Sequence, residues 1–260
     1  MKGLITVVTI LAPAFIAGNT DTPEERGLEI AVEADRRDLD FSDEVADLAM
    51  VLRNKQGEES SRLLEVRSLE VNGDGDKSVA VFEEPLDVKG TALLSVSHKV
   101  ATDDQWLYLP ALKRVKRIAS ADKSGAFMGS EFAYEDITSQ EVEKYTYRYL
   151  RDEVRSGQPC FVVERYPVDR SSGYKRQVVW FDKAEYRPQQ VDFYDRKDSL
   201  LKTLTFEGYR AYVDRYWRAE EMLMVNHQNG KSTLLRWRNR RFRTGLAERD
   251  FSQESLRRFR

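Results

Sequence analysis

The sequence predicts a mainly β chain, an antiparallel meander or barrel, on three observations. About a dozen runs of alternating apolar and polar residues recur at hairpin spacing. Short clusters of Asn, Asp, Gly and Ser separate them, the residue types that reverse a backbone most easily. Aromatics are plentiful, with 12 Phe, 12 Tyr and 4 Trp, and such side chains suit the pleated, half-buried surface of a strand. No composition break, internal repeat or low-complexity linker interrupts the chain, so one domain is expected over 18–260.

Residues 1–17 read as a secretory leader. Lys2 supplies the positive start, and Gly3 to Ala17 is uncharged and mostly apolar. That run is shorter than the about 20 residues a bilayer-spanning helix needs. Ala12-Pro13-Ala14 fits the small-x-small cleavage rule, with cleavage after Ala17 or Gly18 as the alternative. The sole cysteine, Cys160, lies far from the cleavage point, so the mature chain lacks the thiol that a lipid-anchored protein would use there. The expected location is the periplasm, unanchored. Cys160 itself reads as a buried apolar residue with no partner for a disulfide.

A helix should start at Thr22-Pro23-Glu24-Glu25, where Thr22 caps, Pro23 suits the first turn and Glu25 completes a capping box. Leu28, Ala31 and Val32 carry it at helical spacing to about Arg36. Strands follow at Glu44 to Arg53, Ser61 to Val71, Ser78 to Phe82 and Thr91 to His98, with Asn72-Gly73-Asp74-Gly75 as a tight turn. Beyond the central segment come strands at Tyr145 to Asp152, Cys160 to Pro167, Tyr174 to Asp182, Pro188 to Tyr194, Leu200 to Tyr209, Met222 to His227 and Ser232 to Phe242. The tail from Phe251 to Leu256 has the composition of a capped helical turn.

The central segment, Asp103 to Ile137, combines three textures. Trp106-Leu107-Tyr108-Leu109-Pro110 is an apolar strand, and Lys113-Arg114-Val115-Lys116-Arg117-Ile118 alternates basic with apolar. Ser124-Gly125-Ala126 then opens into Phe127-Met128-Gly129-Ser130 and Phe132-Ala133-Tyr134-Glu135-Asp136-Ile137. Strand alternation sets Trp106 and Tyr108 on one side and Leu107 and Leu109 on the other. The aromatic pair is expected on the concave, ligand-bearing side. Gly125 and Gly129 flank Phe127 and Met128, so this loop reads either as a gate over an apolar site or as a permanent core plug. Phe132 and Tyr134 complete the candidate apolar site. Lys113, Arg114, Lys116 and Arg117 form a candidate docking patch for a partner.

This segment also carries a resemblance. WLYLPALKRVKRI followed by FMGSEFAYEDI is similar to the signature of outer-membrane lipoprotein-sorting proteins, the LolA-like family of periplasmic carriers. The similarity extends through GTALLSVSH, SQEVEKYTYRYL, YKRQVVWFD, VDFYDR and MVNHQNGKST, covering most of the chain. The resemblance implies a curved antiparallel sheet forming an incomplete LolA/LolB-like barrel, with a few short helices over an apolar concave face. It implies binding of lipid or lipoprotein acyl chains for transfer towards the outer membrane, beside a membrane transporter, without cofactor or catalysis. A lipid-sensing regulatory module or a non-carrier transporter subunit would need the same concavity.

Other motifs read as ordinary structure. Gly230-Lys231-Ser232 lacks the earlier glycine of a phosphate loop, since Val225 stands there, and it sits between strands. Asn72 to Glu83 resembles a calcium loop, yet Lys77 occupies the position that needs glycine. His98 and His227, the two histidines, lack zinc-ligand company, and no Gly-x-Ser-x-Gly elbow accompanies them. Lys+Arg 42 against Asp+Glu 44 gives a net charge of -2, which disfavours a nucleic-acid binder. Arg236, Arg238 and Arg240 are expected together on the solvated face of an edge strand, with Trp237 opposite.

Overall fold

The computed structural model describes residues 21–258; the expected leader, residues 1–17, lies outside them. Thr22 caps the first helix, α1 (Pro23–Asp38), through a capping box with Glu25, and Pro23 occupies the first turn. Its buried face is Gly27, Ile30 and Ala31. Leu28 and Val32, expected to face inward, are 45% and 47% exposed. The tertiary contact sits one residue round the helix from the Leu28 and Val32 stripe.

Fifteen strands follow: β1 (Asp43–Arg53), β2 (Glu59–Leu69), β3 (Lys77–Glu84), β4 (Ala92–Val96), β5 (Asp104–Leu109), β6 (Arg114–Arg117), β7 (Tyr145–Arg155), β8 (Gln158–Pro167), β9 (Tyr174–Asp182), β10 (Pro188–Asp195), β11 (Leu200–Glu207), β12 (Arg210–Tyr212), β13 (Tyr216–Arg218), β14 (Glu221–Asn226) and β15 (Ser232–Phe242). Thirteen make one antiparallel sheet in the order β6-β5-β4-β3-β2-β1-β15-β14-β11-β10-β9-β8-β7. β6 and β7 are its two edges, so the sheet curves without closing. β12 and β13 form a separate ribbon that the sequence pattern had not separated from its neighbours. The Ser252-capped turn α2 (Gln253–Leu256) ends the described chain, as the tail composition predicts.

Period-two alternation divides the apolar residues between the two faces. The concave face carries the main core, including Leu48, Met50, Leu64, Leu107, Val179, Phe181, Phe193, Leu204 and Leu235. On the convex side a second cluster, Val79, Val81, Ala92, Leu94 and Tyr108, is covered by Phe251 and Leu256 of the tail. A third, Cys160, Val162, Val178 and Trp180, lies under long polar side chains, with Trp180 Nε1 donating to Glu153 at 3.2 Å. Cys160 is fully buried.

Trp106 and Tyr108 therefore correct an expectation. They belong to the convex side and pack with the tail, while Leu107 and Leu109 face the concavity. Alternation alone fixes which residues share a side, not which side is inside. The tail, about 140 residues further on, decides it by giving the aromatic pair a convex partner.

α1 lies on the concave side at the β7 edge and packs chiefly on that strand. Gly27 makes this approach possible: a Cβ there would sit 2.7 Å from the Tyr149 nitrogen and 2.8 Å from the Arg148 nitrogen. In an exposed helix, glycine to alanine gains about 1 kcal/mol. Here the sign should reverse, because the new methyl meets backbone that cannot turn aside. Gly27→Ala is expected to lose roughly 1–3 kcal/mol in urea unfolding, in the range of overpacked sites; a gain in stability would contradict this packing.

Candidate functional site

Residues 118–144 leave β6 and cross the concave face to β7 as a strap. Ala126 and Ala133 bridge across it, with Phe127 N donating to Phe132 O at 2.7 Å. Its polar groups are tied to strands on both sides. Gln105 Nε2 of β5 donates to Tyr134 O at 2.9 Å, and Arg62 of β2 donates to Met128 O. Glu131 N donates to Thr233 Oγ1 of β15 at 2.9 Å, and Asn226 Nδ2 of β14 reaches the Glu131 carboxylate at 2.7 Å.

Lys202 of β11 is the central pin. Its ammonium is 2.7 Å from Asp136 Oδ2 and 2.9 Å from Glu131 O, with both side chains of the ion pair more than nine-tenths buried. The Tyr174 hydroxyl donates to Asp136 at 2.9 Å, and the Tyr174 and Phe193 rings lie 5.1 and 5.2 Å from the ammonium. Burial beside these carboxylates pushes the Tyr174 hydroxyl well above its ordinary pKa. Glu135 accepts from Ser172 Oγ at 2.7 Å and from Gly173 N at 2.9 Å.

Sheet, α1 and strap enclose a cavity of about 1200 Å³. Its floor is apolar, built from Met50, Leu64, Phe181, Phe193, Leu204 and Leu235. One end is ringed by charge: Asp35 and Asp38 of α1, the turn from Glu70 to Asp76, Glu141 of the strap, and Arg215 and Arg218 of the β12–β13 ribbon. Burial raises the Asp76 carboxyl to about 7, against which the Val71 N–H offers one hydrogen bond at 3.2 Å. Glu141, Glu70 and Asp38 push it the same way.

The residues expected to form the site separate into three groups. Phe127 and Phe132 line the cavity, 1% and 2% exposed. Phe127 packs against Phe82 and Tyr134 with ring centroids at 5.8 and 5.7 Å, which is the position of a core plug. Met128 and Tyr134 border the same core, half-buried, and Met128 takes φ 49°. Trp106 and Tyr108 are on the far side of the sheet. Lys113, Arg114, Lys116 and Arg117 are exposed on and beside edge strand β6, where Arg117 pairs with Asp104.

Arg240 brings a second correction. β15 is an interior strand between β1 and β14, not an edge. The β1–β15 register shifts between Val45 and Asp47, and Asn239 opposite takes φ 52°. That bulge reverses the alternation, as an extra residue must. Arg236 and Arg238 stay exposed, while Arg240 turns inward beside Trp237, 4.5 Å over its ring, and pairs with Glu44. The cavity residues that sequence reasoning missed were the inward members of plain strands, such as Val191 and Phe193. Their signal was alternation itself, which marks a buried face without marking a binding one.

The two histidines make separate local contacts: His98 Nδ1 is 2.7 Å from Asp74, and His227 Nε2 is 2.8 Å from the Thr203 hydroxyl. Among the described residues, no cluster of three His, Cys, Asp or Glu could hold a metal. No described helix is long and apolar enough to cross a membrane.

The open, curved antiparallel sheet with few helices is a LolA-like fold. A crystal structure of a domain assigned to outer-membrane lipoprotein sorting in Vibrio parahaemolyticus is 58% identical, with a TM-score of 0.89 over 90% of this chain and 99% of that one. A DUF1329 family protein from Desulfovibrio piger is 30% identical, with a TM-score of 0.86 over 91% of this chain and 100% of its own. A LolA superfamily protein from Nitrosomonas europaea shares the fold, at 21% identity and a TM-score of 0.71 over 88% and 98% of the two chains. A family described as "Uncharacterized protein" matches residues 74–258. No curated protein matches significantly. The chain belongs to the family of the Vibrio parahaemolyticus outer-membrane lipoprotein-sorting domain, and it shares the fold of the LolA superfamily protein.

Two predictions follow from the charges around the cavity. Asp136→Asn leaves the Lys202 ammonium buried without its counter-ion, so urea unfolding should show a loss of about 3–5 kcal/mol; a near-neutral result would mean that the strap is not pinned there. Asp76 is destabilising when ionised, because its carboxyl rises in the fold from 3.8 to about 7. Its protonated form favours the fold below the unfolded value, and that advantage is lost as pH climbs to the folded one. Asp76→Asn should therefore gain stability relative to wild type from pH 4 towards 7, about the interval between those two values, and then level off. A difference that stays flat with pH would contradict the assignment.

Proposed function

We infer that this protein is a soluble periplasmic carrier that takes lipid or lipoprotein acyl chains into the strapped cavity for transfer towards the outer membrane. The observation that carries this reading is the apolar floor of a cavity of about 1200 Å³, in a chain 58% identical to a lipoprotein-sorting domain. That volume exceeds the usual pocket for a small molecule, roughly 300–1,000 Å³. Each CH₂ taken from water contributes about 0.8 kcal/mol, so one long chain supplies useful affinity without chemistry or cofactor. Carriage asks only for burial and release, and no catalytic group is needed for either.

The strap is the element whose movement would admit and release cargo; Phe127, packed beneath it as a plug, would have to leave the core together with Met128 for the site to open. The strap is held both by the packing of Phe127 and Phe132 and by polar contacts to strands on either side. The basic residues Lys113, Arg114, Lys116 and Arg117 lie on and beside edge strand β6, and Lys116 and Arg117 adjoin the start of the strap, so a transporter or acceptor docking there would sit beside it. A leader removed within residues 14–18 would place the chain in the periplasm.

Native mass spectrometry of protein purified from a periplasmic extract, without detergent, tests the carrier reading. The expected spectrum contains the chain with a lipid-sized mass that is lost on collisional activation. Chain alone, together with failure to take up acyl ligands in vitro, would exclude carriage.

A further inference from the structure

We propose that the β15 wall of the cavity holds a subsite for a neutral carbonyl oxygen, the ester or amide group at the head of an acyl chain. This rests on the carrier reading and specifies its ligand. Among the described residues, three buried polar side-chain atoms have no hydrogen-bond partner: Gln105 Oε1, Trp237 Nε1 and Arg240 Nε. The last two are donors on adjacent side chains, since the Arg240 guanidinium stacks 4.5 Å over the Trp237 ring. Both residues line the cavity, as do Glu44 and Ala219 beside them. Arg240 has 6% of its side chain exposed, and its remaining nitrogens are occupied: Nη1 with the Glu44 carboxylate and Nη2 with Ala219 O at 3.3 Å.

Buried donors in folded proteins nearly always meet an acceptor, so a pair of idle ones at a cavity wall calls for an explanation. An incoming acceptor is the explanation that the cavity makes available. The Asn239 bulge is what turns this arginine inward from the face its neighbours Arg236 and Arg238 occupy. Both nitrogens are shielded from water in this arrangement, so a carbonyl would meet them only once the guanidinium turns on the indole.

The charges select the kind of acceptor. Arg240 and Arg218 share Glu44, and Arg218 also pairs with Asp38, so two cations meet two carboxylates. Nearby Arg187 is matched by Asp182 at 2.8 Å. A carboxylate or phosphate would find its countercharge already taken, and burying an unmatched anion is costly. A carbonyl oxygen needs N–H donors and no charge. The alkyl chain behind it continues over the apolar floor at Leu235 and Met222.

The test compares dodecane, methyl laurate and laurate as competitors for Nile red bound to the purified protein. Methyl laurate is expected to displace the dye at a concentration about three- to tenfold lower than dodecane, the size of one or two net hydrogen bonds. Trp237→Phe keeps an aromatic face beneath the guanidinium and removes the donor, and should shrink the ratio between the two ligands towards one. Arg240→Lys, which keeps the charge facing Glu44 but removes Nε, should shrink it too. Equal displacement by dodecane and methyl laurate in wild type would overturn the subsite while leaving acyl binding intact. So would an unchanged ratio in a folded Trp237→Phe protein, or preference for laurate over its methyl ester. Failure of all three ligands to compete would instead overturn the carrier reading, and the subsite with it.

Discussion

An apolar concave face that the sheet does not close over is the constraint on which the rest of this structure depends. Thirteen strands curve around Met50, Leu64, Phe181, Phe193 and Leu235. Covering all of that surface with apolar side chains would give a stable, solid protein with nowhere to put a ligand. The chain covers it in two pieces. α1 takes the β7–β8 wing with Ile30 and Ala31, and the strap takes the centre with Phe127 and Phe132. The space left between them over that floor is the cavity.

The means by which the strap is held fits this division. A buried ion pair adds little net stability over an apolar pair of the same shape, but it tolerates few alternative positions. Lys202 meets Asp136 and Glu131 O at once, and Tyr174 approaches the same carboxylate from β9. A strap fixed by such contacts can sit high over the sheet without filling the space beneath. Had apolar packing alone held it, the best-packed position would have been collapse onto the floor. The polar pins thus set the height of the cavity, and the apolar residues set what it accepts.

Much of this was legible in the sequence. Strands with clean alternation, the Thr22–Glu25 capping box and the Ser252-capped tail are local signals, and each is found where local chemistry places it. The signature segment pointed to the strap, and Phe127 and Phe132 do line the cavity. What failed depended on distant partners or on a single irregular residue. Trp106 and Tyr108 took the convex side because Phe251 and Leu256 return to cover them. Arg240 changed faces because one residue, Asn239, entered left-handed conformation and broke the alternation. A non-glycine bulge has no reliable sequence mark, since asparagine is equally at home in turns and on surfaces. The β12–β13 ribbon was hidden because its strands, three residues each, are too short for a period to show.

The openness of the sheet is itself a consequence of these residues. Closing the barrel would require β6 to pair with β7. β6 offers four residues, three of them Arg or Lys, the kind of short charged edge that discourages further pairing. β7 has eleven residues, but α1 packs on its backbone through Gly27, in the space a closing strand would approach. Each edge is blocked by a different means, one by charge and brevity, the other by a helix. The strap leaves from the first edge and arrives at the second, so it spans the gap that pairing would have closed. An element in that position is tied to both wings of the sheet, and any widening of the gap must pull on the Lys202–Asp136 contact near its middle. Cavity size and edge separation are therefore coupled through the strap and its polar ties, the buried Lys202–Asp136 pair among them.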